Sequence, residues 1–393
     1  MATKKESYRD NGNGTFKENI KSIFSQYYKL DRVLKTGAVY IMMIGERSRG
    51  KSFAVLEHCI KDYFETGAEL VMIRRWDSDL RGQRGQQIFA DMETKGVIKK
   101  LSKGEWTGVY YWSSRWYFCK YDKKSGKRIT APKPFAYGLS INMYERHDKS
   151  TQYPLVKNIF FDEFMAKNDA QGGDYIPDEF VSFMNILSGV IRDREDMHHI
   201  FMAGNTINHF SPYFREMGLE KVKDMKPGDI DVYEMPGGVK IAVEFTDGVA
   251  GGKKSDKYFA FKNSKLAMIT GKNGAWQLDA YPHKPREFKP KDVVFSYYLK
   301  FDDQLLCCDI VALKDSIFTY CHRPDGFTKI DPKRDLFFAE TYNPLPNWRR
   351  NISKAPDNLG KKIYNFIVHD NIYFEDNVTG EHFYNFLSWS LKQ

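Results

Sequence analysis

The stretch IGERSRGKSF, Ile44 to Phe53, constrains this chain more than any other. It places Gly45, then Gly50, Lys51 and Ser52, at the end of an apolar run, Gly37 to Ile44 (GAVYIMMI). A run without alternation predicts a strand buried on both faces, as in a parallel sheet. From Ser52 the apolar positions Val55, Cys59, Ile60, Tyr63 and Phe64 take up helical spacing, and Gly67 predicts the helix end. A second buried strand follows at Leu70 to Ile73. Strand, glycine loop, helix, strand is the setting in which backbone N–H groups at a helix N-terminus cradle phosphate. There Lys51 would place its charge on the β- and γ-phosphates of ATP, and the Ser52 hydroxyl would ligate Mg²⁺. Residue frequencies make a chance GxxxxGK[ST] in 393 residues roughly a one-in-seventy event.

The second informative stretch is VKNIFFDEF, a buried strand ending in two acids. Asp162 at the strand tip can bind Mg²⁺ through water, and Glu163 beside it can act as general base on an attacking water. An Asp-Glu pair at this step points to ATP hydrolysis that drives motion. The strand at Leu70 to Ile73, intervening between the two motifs, suggests the sheet order of the RecA-like class. HIFMAGN is a further strand whose terminal Asn205 could sense the γ-phosphate or merely form a turn. Between them lies a helix with Phe180, Phe183, Met184, Leu187 and Ile191 as its apolar positions, followed by Arg192 and Arg194. An arginine on a domain rim can reach a neighbour's γ-phosphate, although an exposed Arg-x-Arg is ordinarily a solvated face.

Residues 104–139 read as β-hairpins inserted in this domain, with Ser113-Ser114 as one turn. Trp112, Arg115 and Lys120 there could touch nucleic acid, though sheet packing with solvated lysines is the simpler reading. The expected organisation is an α/β domain over 1–247, beginning with a polar arm over 1–24. A linker over 248–275 and a second domain over 276–393 follow. In the latter, a run of antiparallel strands precedes a closing amphipathic helix, GEHFYNFLSWSLK.

The net charge of +9 draws a chain toward nucleic acid. No apolar run reaches membrane-spanning length, so no membrane role is expected, and the polar start reads as neither signal nor transit peptide. The cysteines (Cys59, Cys119, Cys307, Cys308, Cys321) show no Cys-x-x-Cys spacing, which points to a reducing compartment and argues against a zinc site. His198-His199 have no partners at ligand spacing and read as structural.

Taken together, these residues resemble the DNA-packaging motor ATPases of φ29-type phages. The resemblance rests on Gly45-x-Arg47-x-x-Gly50-Lys51-Ser52, Tyr153-Pro154, FFDEF (Phe160 to Phe164), Tyr175-Ile176-Pro177, NILSGVIRDRED and GNTINHFSPYF, in order across roughly residues 30–215. It implies a RecA-like (ASCE) P-loop ATPase domain with a mainly parallel sheet, then a smaller α+β RNase H-like domain. It also implies a homo-oligomeric ring, a pentamer, that pushes double-stranded DNA into a prohead. Such a motor works in the host cytoplasm, transiently at the portal vertex, and several members also bind a structural packaging RNA. By the same resemblance Arg47 is the glycine-loop arginine, Arg192 the trans-acting arginine finger and Lys149 a second residue in communication between subunits. Asp77 stands where the family carries a basic residue. DNA-contact candidates, Arg81, Arg84 and Lys167, therefore rest on charge and loop position alone.

Large terminases join such a motor to an RNase H-like nuclease, which gathers acids on adjacent strands around two Mg²⁺ ions. Here the strand Val293 to Lys300 carries no inward acid, Asp302-Asp303 read as a hairpin turn, and Asp309 is the one acid embedded in the next apolar run. A nuclease-inactive domain is expected. The alternatives are a terminase-like motor that cleaves DNA and an ATP-gated nucleic-acid-binding adaptor in which hydrolysis is incidental.

Overall fold

The computed structural model describes residues 28–45, 50–143, 151–166, 178–204, 211–246, 288–325, 330–354, 358–369 and 371–391, with Tyr175, Ile176, Tyr281, Arg286 and Gln393. The chain divides into two compact units, each considered over its described residues. Met1–Phe164, Phe180–Ile207 and Leu219–Ala275 form the first; Met165–Glu179, Asn208–Gly218 and Trp276–Gln393 form the second. The arm expected over 1–24 and the linker expected over 248–275 lie outside the described residues.

In the first unit, β1 (Tyr40–Ile44) leads into α1 (Lys51–Thr66) and β2 (Glu69–Arg74). Gly67 ends α1 at φ 80°, its N–H bonded to Tyr63 O at 2.9 Å, a left-handed cap that a side chain would strain. Strands β3 (Gly108–Trp112), β4 (Arg115–Tyr121), β5 (Arg128–Thr130) and β6 (Ala136–Ser140) follow. Then come β7 (Val156–Asp162), α2 (Glu179–Ile191), β8 (His199–Gly204), β9 (Ile230–Glu234) and β10 (Lys240–Phe245). They build one ten-stranded sheet in the order β3-β4-β6-β2-β7-β8-β1-β10-β9, with β5 beside β4. The six strands from β6 to β10 pair in parallel. Antiparallel β9 borders them on one side and the β3–β4 hairpin on the other.

This order corrects one expectation. The strand lying between β1 and β7 in space is β8, not β2. The crossover through α1 carries the chain past two sheet positions, which β7 and β8 later fill. Burial explains the apolar runs: Ile41, Met42, Met43, Ile159, Phe160 and Phe161 are fully buried, since both faces of the sheet are covered. The Ser113–Ser114 turn has φ of 50° and 55°, the paired positive values that suit a two-residue hairpin. The buried stripe of α2 is Phe183, Ile186, Leu187 and Val190, whereas Met184, expected inside, is 39% exposed and Val181 57%. Short helical turns over Gly82–Gln87, Ala90–Thr94 and Val97–Leu101 have no counterpart in the sequence reading.

The second unit carries β11 (Val293–Phe301), β12 (Gln304–Ala312), β13 (Ile317–His322), β14 (Leu336–Ala339), β15 (Trp348–Arg349) and β16 (Ile372–Phe374). Its order is β15-β14-β11-β12-β13-β16. An antiparallel meander, β11–β12–β13, is joined by β14 parallel to β11, which is the RNase H-like strand order. The β11–β12 turn is Asp302–Asp303, at φ 48° and 57°. Helices α3 (Asn358–Val368) and α4 (Asn377–Ser390) cover one face, packing Ile363, Ile367, Phe383, Phe386 and Leu387 against Tyr297, Leu299, Cys308 and Ile310. Helix α4 is not amphipathic as expected. Glu381, His382, Asn385 and Ser388 are buried along with its apolar positions. All five cysteines are free and buried. Among the described residues no helix is long and apolar enough to cross a membrane.

Candidate nucleotide site

The carboxyl ends of parallel strands are where an α/β sheet leaves a crevice for a ligand. There β1 delivers Gly45, β7 delivers Asp162 and Glu163, and β2 delivers Arg74 and Arg75. Gly45 has φ 146°, and a Cβ built on it would stand 2.2 Å from Thr246 Oγ1. Thr246 is fixed in turn by its N–H bond to Ile44 O at 2.8 Å. Gly50 caps α1 at φ 87°. Both glycines are therefore required by backbone geometry, and one of them also by space.

Lys51 is 3% exposed and its Nζ donates to Gly45 O at 3.1 Å, so the ammonium folds back to the carboxyl end of β1. The Ser52 hydroxyl donates to Asp162 Oδ1 at 2.8 Å. Arg74 spans both acids: Nη2 lies 2.7 Å from Asp162 Oδ2 and Nη1 3.1 Å from Glu163 Oε2. Its side chain is 18% exposed and that of Glu163 47%. A planar guanidinium holds two carboxylates in one fixed geometry, each on its own terminal nitrogen, where a lysine offers only a single freely rotating ammonium. Arg75, 7% exposed, holds the backbone beneath, donating to Glu163 O at 3.1 Å and Phe164 O at 2.6 Å. Glu163 itself sits at φ 60°. A left-handed glutamate costs on the order of 1–3 kcal/mol. The Arg75 bonds and the Phe164 N–H bond to Ala203 O at 3.2 Å hold it there.

The residues fit a triphosphate and its Mg²⁺. The donor set combines a buried lysine, a hydroxyl and a carboxylate, and among the described residues the buried Thr246 Oγ1 beside Gly45 has no hydrogen-bond partner. Sequence reasoning missed Arg74. The only signal was its place at the end of the strand beside β7, and that adjacency is invisible without the sheet order.

The rim candidates separate. Arg194 is half-buried and donates to Pro154 O at 3.1 Å, Val156 O at 2.8 Å and Val190 O at 2.9 Å, so it ties α2 to the start of β7. Arg192 is exposed at φ 55°, and among the described residues its guanidinium reaches only the Gly189 and Thr151 carbonyls, at 3.4 Å each. Arg81 and Arg84 are exposed and paired with Asp77 and Asp79 of the preceding turn, which offsets part of the charge they present. Trp112 is 58% exposed at the hairpin tip, beside exposed Arg115; Lys120 lies 5.3 Å above Trp106. Arg47, Lys149, Lys167 and Asn205 lie outside the described residues.

Two other motif segments meet in the second unit. Tyr213 donates to Glu179 Oε1 at 2.7 Å, and Tyr175 to Ser211 Oγ at 3.3 Å. His198 Nδ1 lies 2.7 Å from Asp62 Oδ2, to which Asn158 donates at 2.6 Å. That set ties α1 to the starts of β7 and β8, away from the strand ends that carry the site.

Sheet order, glycine loop and strand-end acids together define a RecA-like P-loop domain, here in a chain that also carries an RNase H-like sheet. The chain belongs to the family of podovirus DNA encapsidation proteins (Gp16), whose profile matches residues 22–247. The DNA packaging protein of Bacillus phage B103 is 28% identical over 190 residues, 48% of this chain and 49% of that protein. This chain spans about half the length of the curated relatives it matches. Among solved structures, the bacteriophage Phi-29 viral genome packaging motor assembly aligns with 92% of this chain and 98% of its own, at 19% identity and TM-score 0.52. The Phi-28 gp11 DNA packaging motor aligns with 94% and 98%, at 18% identity and TM-score 0.50. These likenesses show the shared fold.

Proposed function

We propose that this protein hydrolyses ATP and uses the energy to drive double-stranded DNA into a prohead, as a ring of identical subunits at the portal vertex in the host cytoplasm. The observation that carries the reading is the single constellation formed by Ser52, Arg74, Asp162 and Glu163 beside the glycine loop. Membership of a DNA encapsidation family and the packaging role named for its relatives supply the substrate. A pentameric ring and a structural packaging RNA belong to the proposal by the same resemblance.

Each side chain has a physical task. The backbone amides around Gly50 and the Lys51 ammonium hold the phosphates. Ser52 and Asp162 would hold Mg²⁺, which when bound offsets charge on the phosphate oxygens. Glu163, half-exposed at its strand end, takes the proton of the attacking water. Arg74 is a positioning residue: it fixes the angle between the two carboxylates and lowers their mutual repulsion. The interface with a second copy is proposed on the exposed face of α2. Val181 and Met184 are exposed on the helix that ends just before Arg192, whose guanidinium among the described residues is held only by two carbonyls at 3.4 Å. The Trp112 hairpin with Arg115 and Lys120, together with Arg81 and Arg84, is the proposed nucleic-acid contact.

The test is ATP turnover by the full chain with and without double-stranded DNA. The account expects turnover that rises with DNA and disappears in Lys51→Ala. Turnover that persists in Lys51→Ala, or nucleotide binding with no turnover under any assembly condition, would leave the adaptor reading instead.

A further inference from the structure

The face of the second sheet turned away from α3 and α4 carries a second cluster of chemistry-bearing side chains, independent of the nucleotide site. Cys307 and Asp309 alternate along β12 and so point to the same side. His322 on β13 pairs with Cys307, and Ser296 on β11 pairs with Asp309. Three adjacent strands thus bring these four side chains together.

Cys307, Asp309 and His322 are 2%, 5% and 4% exposed, and their ligand atoms all lie within 4.8 Å of one another. Cys307 Sγ is 3.4 Å from Asp309 Oδ1, and His322 Nε2 is 3.2 Å from Asp309 Oδ2. The ligand-to-ligand edges of a tetrahedral zinc site are roughly 3.3–3.8 Å; the two edges to Asp309 come close to that range, one through each carboxylate oxygen, and the 4.8 Å bound leaves the thiol and the ring a small movement from it. The far nitrogen of the ring, Nδ1, lies 2.7 Å from Arg323 O. A carbonyl only accepts, so Nδ1 carries a hydrogen, and Nε2 is the nitrogen that faces the carboxylate. Either a second proton or a cation must lie between them. Ser296 Oγ donates to Asp309 Oδ1 at 2.6 Å. Backbone-anchored imidazole and hydroxyl-anchored carboxylate are the outer contacts that orient metal ligands. A cleft of about 340 Å³, lined by Ser296, Arg334, Asp335 and Arg349 among others, brings solvent to Ser296.

The geometry points to a zinc site formed by Cys307, Asp309 and His322, with water in the fourth position. Thiolate and imidazole select Zn²⁺ over Mg²⁺, which takes oxygen ligands. The cluster is therefore chemically unlike the all-acid pair of metals of an RNase H-like nuclease. Cysteine spacing along the chain does not register this cluster, because its side chains come together across strands rather than along one loop.

The experiment uses the full chain, stripped with chelator and then titrated with Zn²⁺, or with Co²⁺ as a spectroscopic stand-in. One zinc per chain is expected, and cobalt should give a thiolate charge-transfer band with tetrahedral d–d bands. Cys307→Ser removes the charge-transfer band, His322→Gln loses the zinc, and Ser296→Ala weakens zinc binding by about 10-fold. Cys308→Ser, whose thiol belongs to the opposite face, leaves the spectrum unchanged. Far-UV circular dichroism confirms that each variant is folded. A folded wild-type chain that takes up no zinc makes the cluster a buried imidazolium–carboxylate pair and overturns the assignment. So does a cobalt band lost in Cys308→Ser but kept in Cys307→Ser.

Discussion

The Ser52 hydroxyl donates a 2.8 Å hydrogen bond to Asp162 Oδ1, joining residues 110 positions apart. The bond sets the first turn of α1 against the tip of β7. The other oxygen of the same carboxylate receives Arg74 at 2.7 Å, and Arg74 in turn reaches Glu163. Glu163→Gln is expected to lower kcat by about 10²–10⁴-fold while leaving Mg·ATP affinity close to wild type. Arg74→Ala, which lets both carboxylates drift, is expected to cost about 100-fold. Steady-state turnover beside equilibrium nucleotide binding checks both. Wild-type turnover in Glu163→Gln would remove that residue from the reaction.

Gly45 leaves no room for a side chain. Gly45→Ala puts a methyl 2.2 Å from Thr246 Oγ1 at a φ of 146°, so it should destabilise the fold by about 1–3 kcal/mol and abolish ATP binding. Denaturant midpoints and nucleotide binding read the two effects separately. An alanine variant that binds ATP normally would show that the loop does not need this backbone conformation.

Arg192 and Arg194 look alike in the sequence and differ in the fold. Arg194→Ala deprives several carbonyls of a charged donor and should lose about 1.5–3 kcal/mol of stability. Arg192→Ala should change stability by less than about 0.5 kcal/mol and lower turnover by about 10³–10⁵-fold. Thermal melting and ATPase assays on the pair separate the roles; equal destabilisation would contradict them.

That pair shows how far the sequence reached. The glycine loop, the strand-end acids, both two-residue turns and the Gly67 cap were legible because each depends on local backbone chemistry. The spatial order of the strands was not, since it is decided by where the α1 crossover lands. With it went Arg74, whose task exists only because β2 lies beside β7. The rotation of α2 was misjudged at Met184 for a related reason: periodicity finds an apolar stripe but cannot say that part of it stays uncovered. The Cys307, Asp309 and His322 cluster escaped because strand pairing, not spacing, assembles it.

His199 makes the first unit sensitive to acid. Burial, with the nearby His58 ring adding to it, pushes the His199 imidazole down from 6.5 to about 4. Between those values the unfolded chain binds a proton that the folded chain does not, so stability falls as pH drops from 6.5 toward 4. Asp62 acts in the same direction at lower pH. Burial opposes its ionisation, but hydrogen bonds from His198 and Asn158 outweigh that and hold the carboxyl below its ordinary range. Melting temperatures across this window should decline in the wild type and decline less in His199→Phe. Equal slopes would contradict the assignment.

In the proposed ring, one subunit's glycine loop is completed by a neighbour's Arg192. The most direct measurement mixes two variants that are each inactive: Lys51→Ala, which cannot hold the phosphates, and Arg192→Ala, which cannot reach across. The account predicts that ATP turnover returns in the mixture, because an intact loop then meets an intact arginine at some interfaces. A mixture that assembles but stays inactive, or an Arg192→Ala protein that turns over ATP normally by itself, would contradict it.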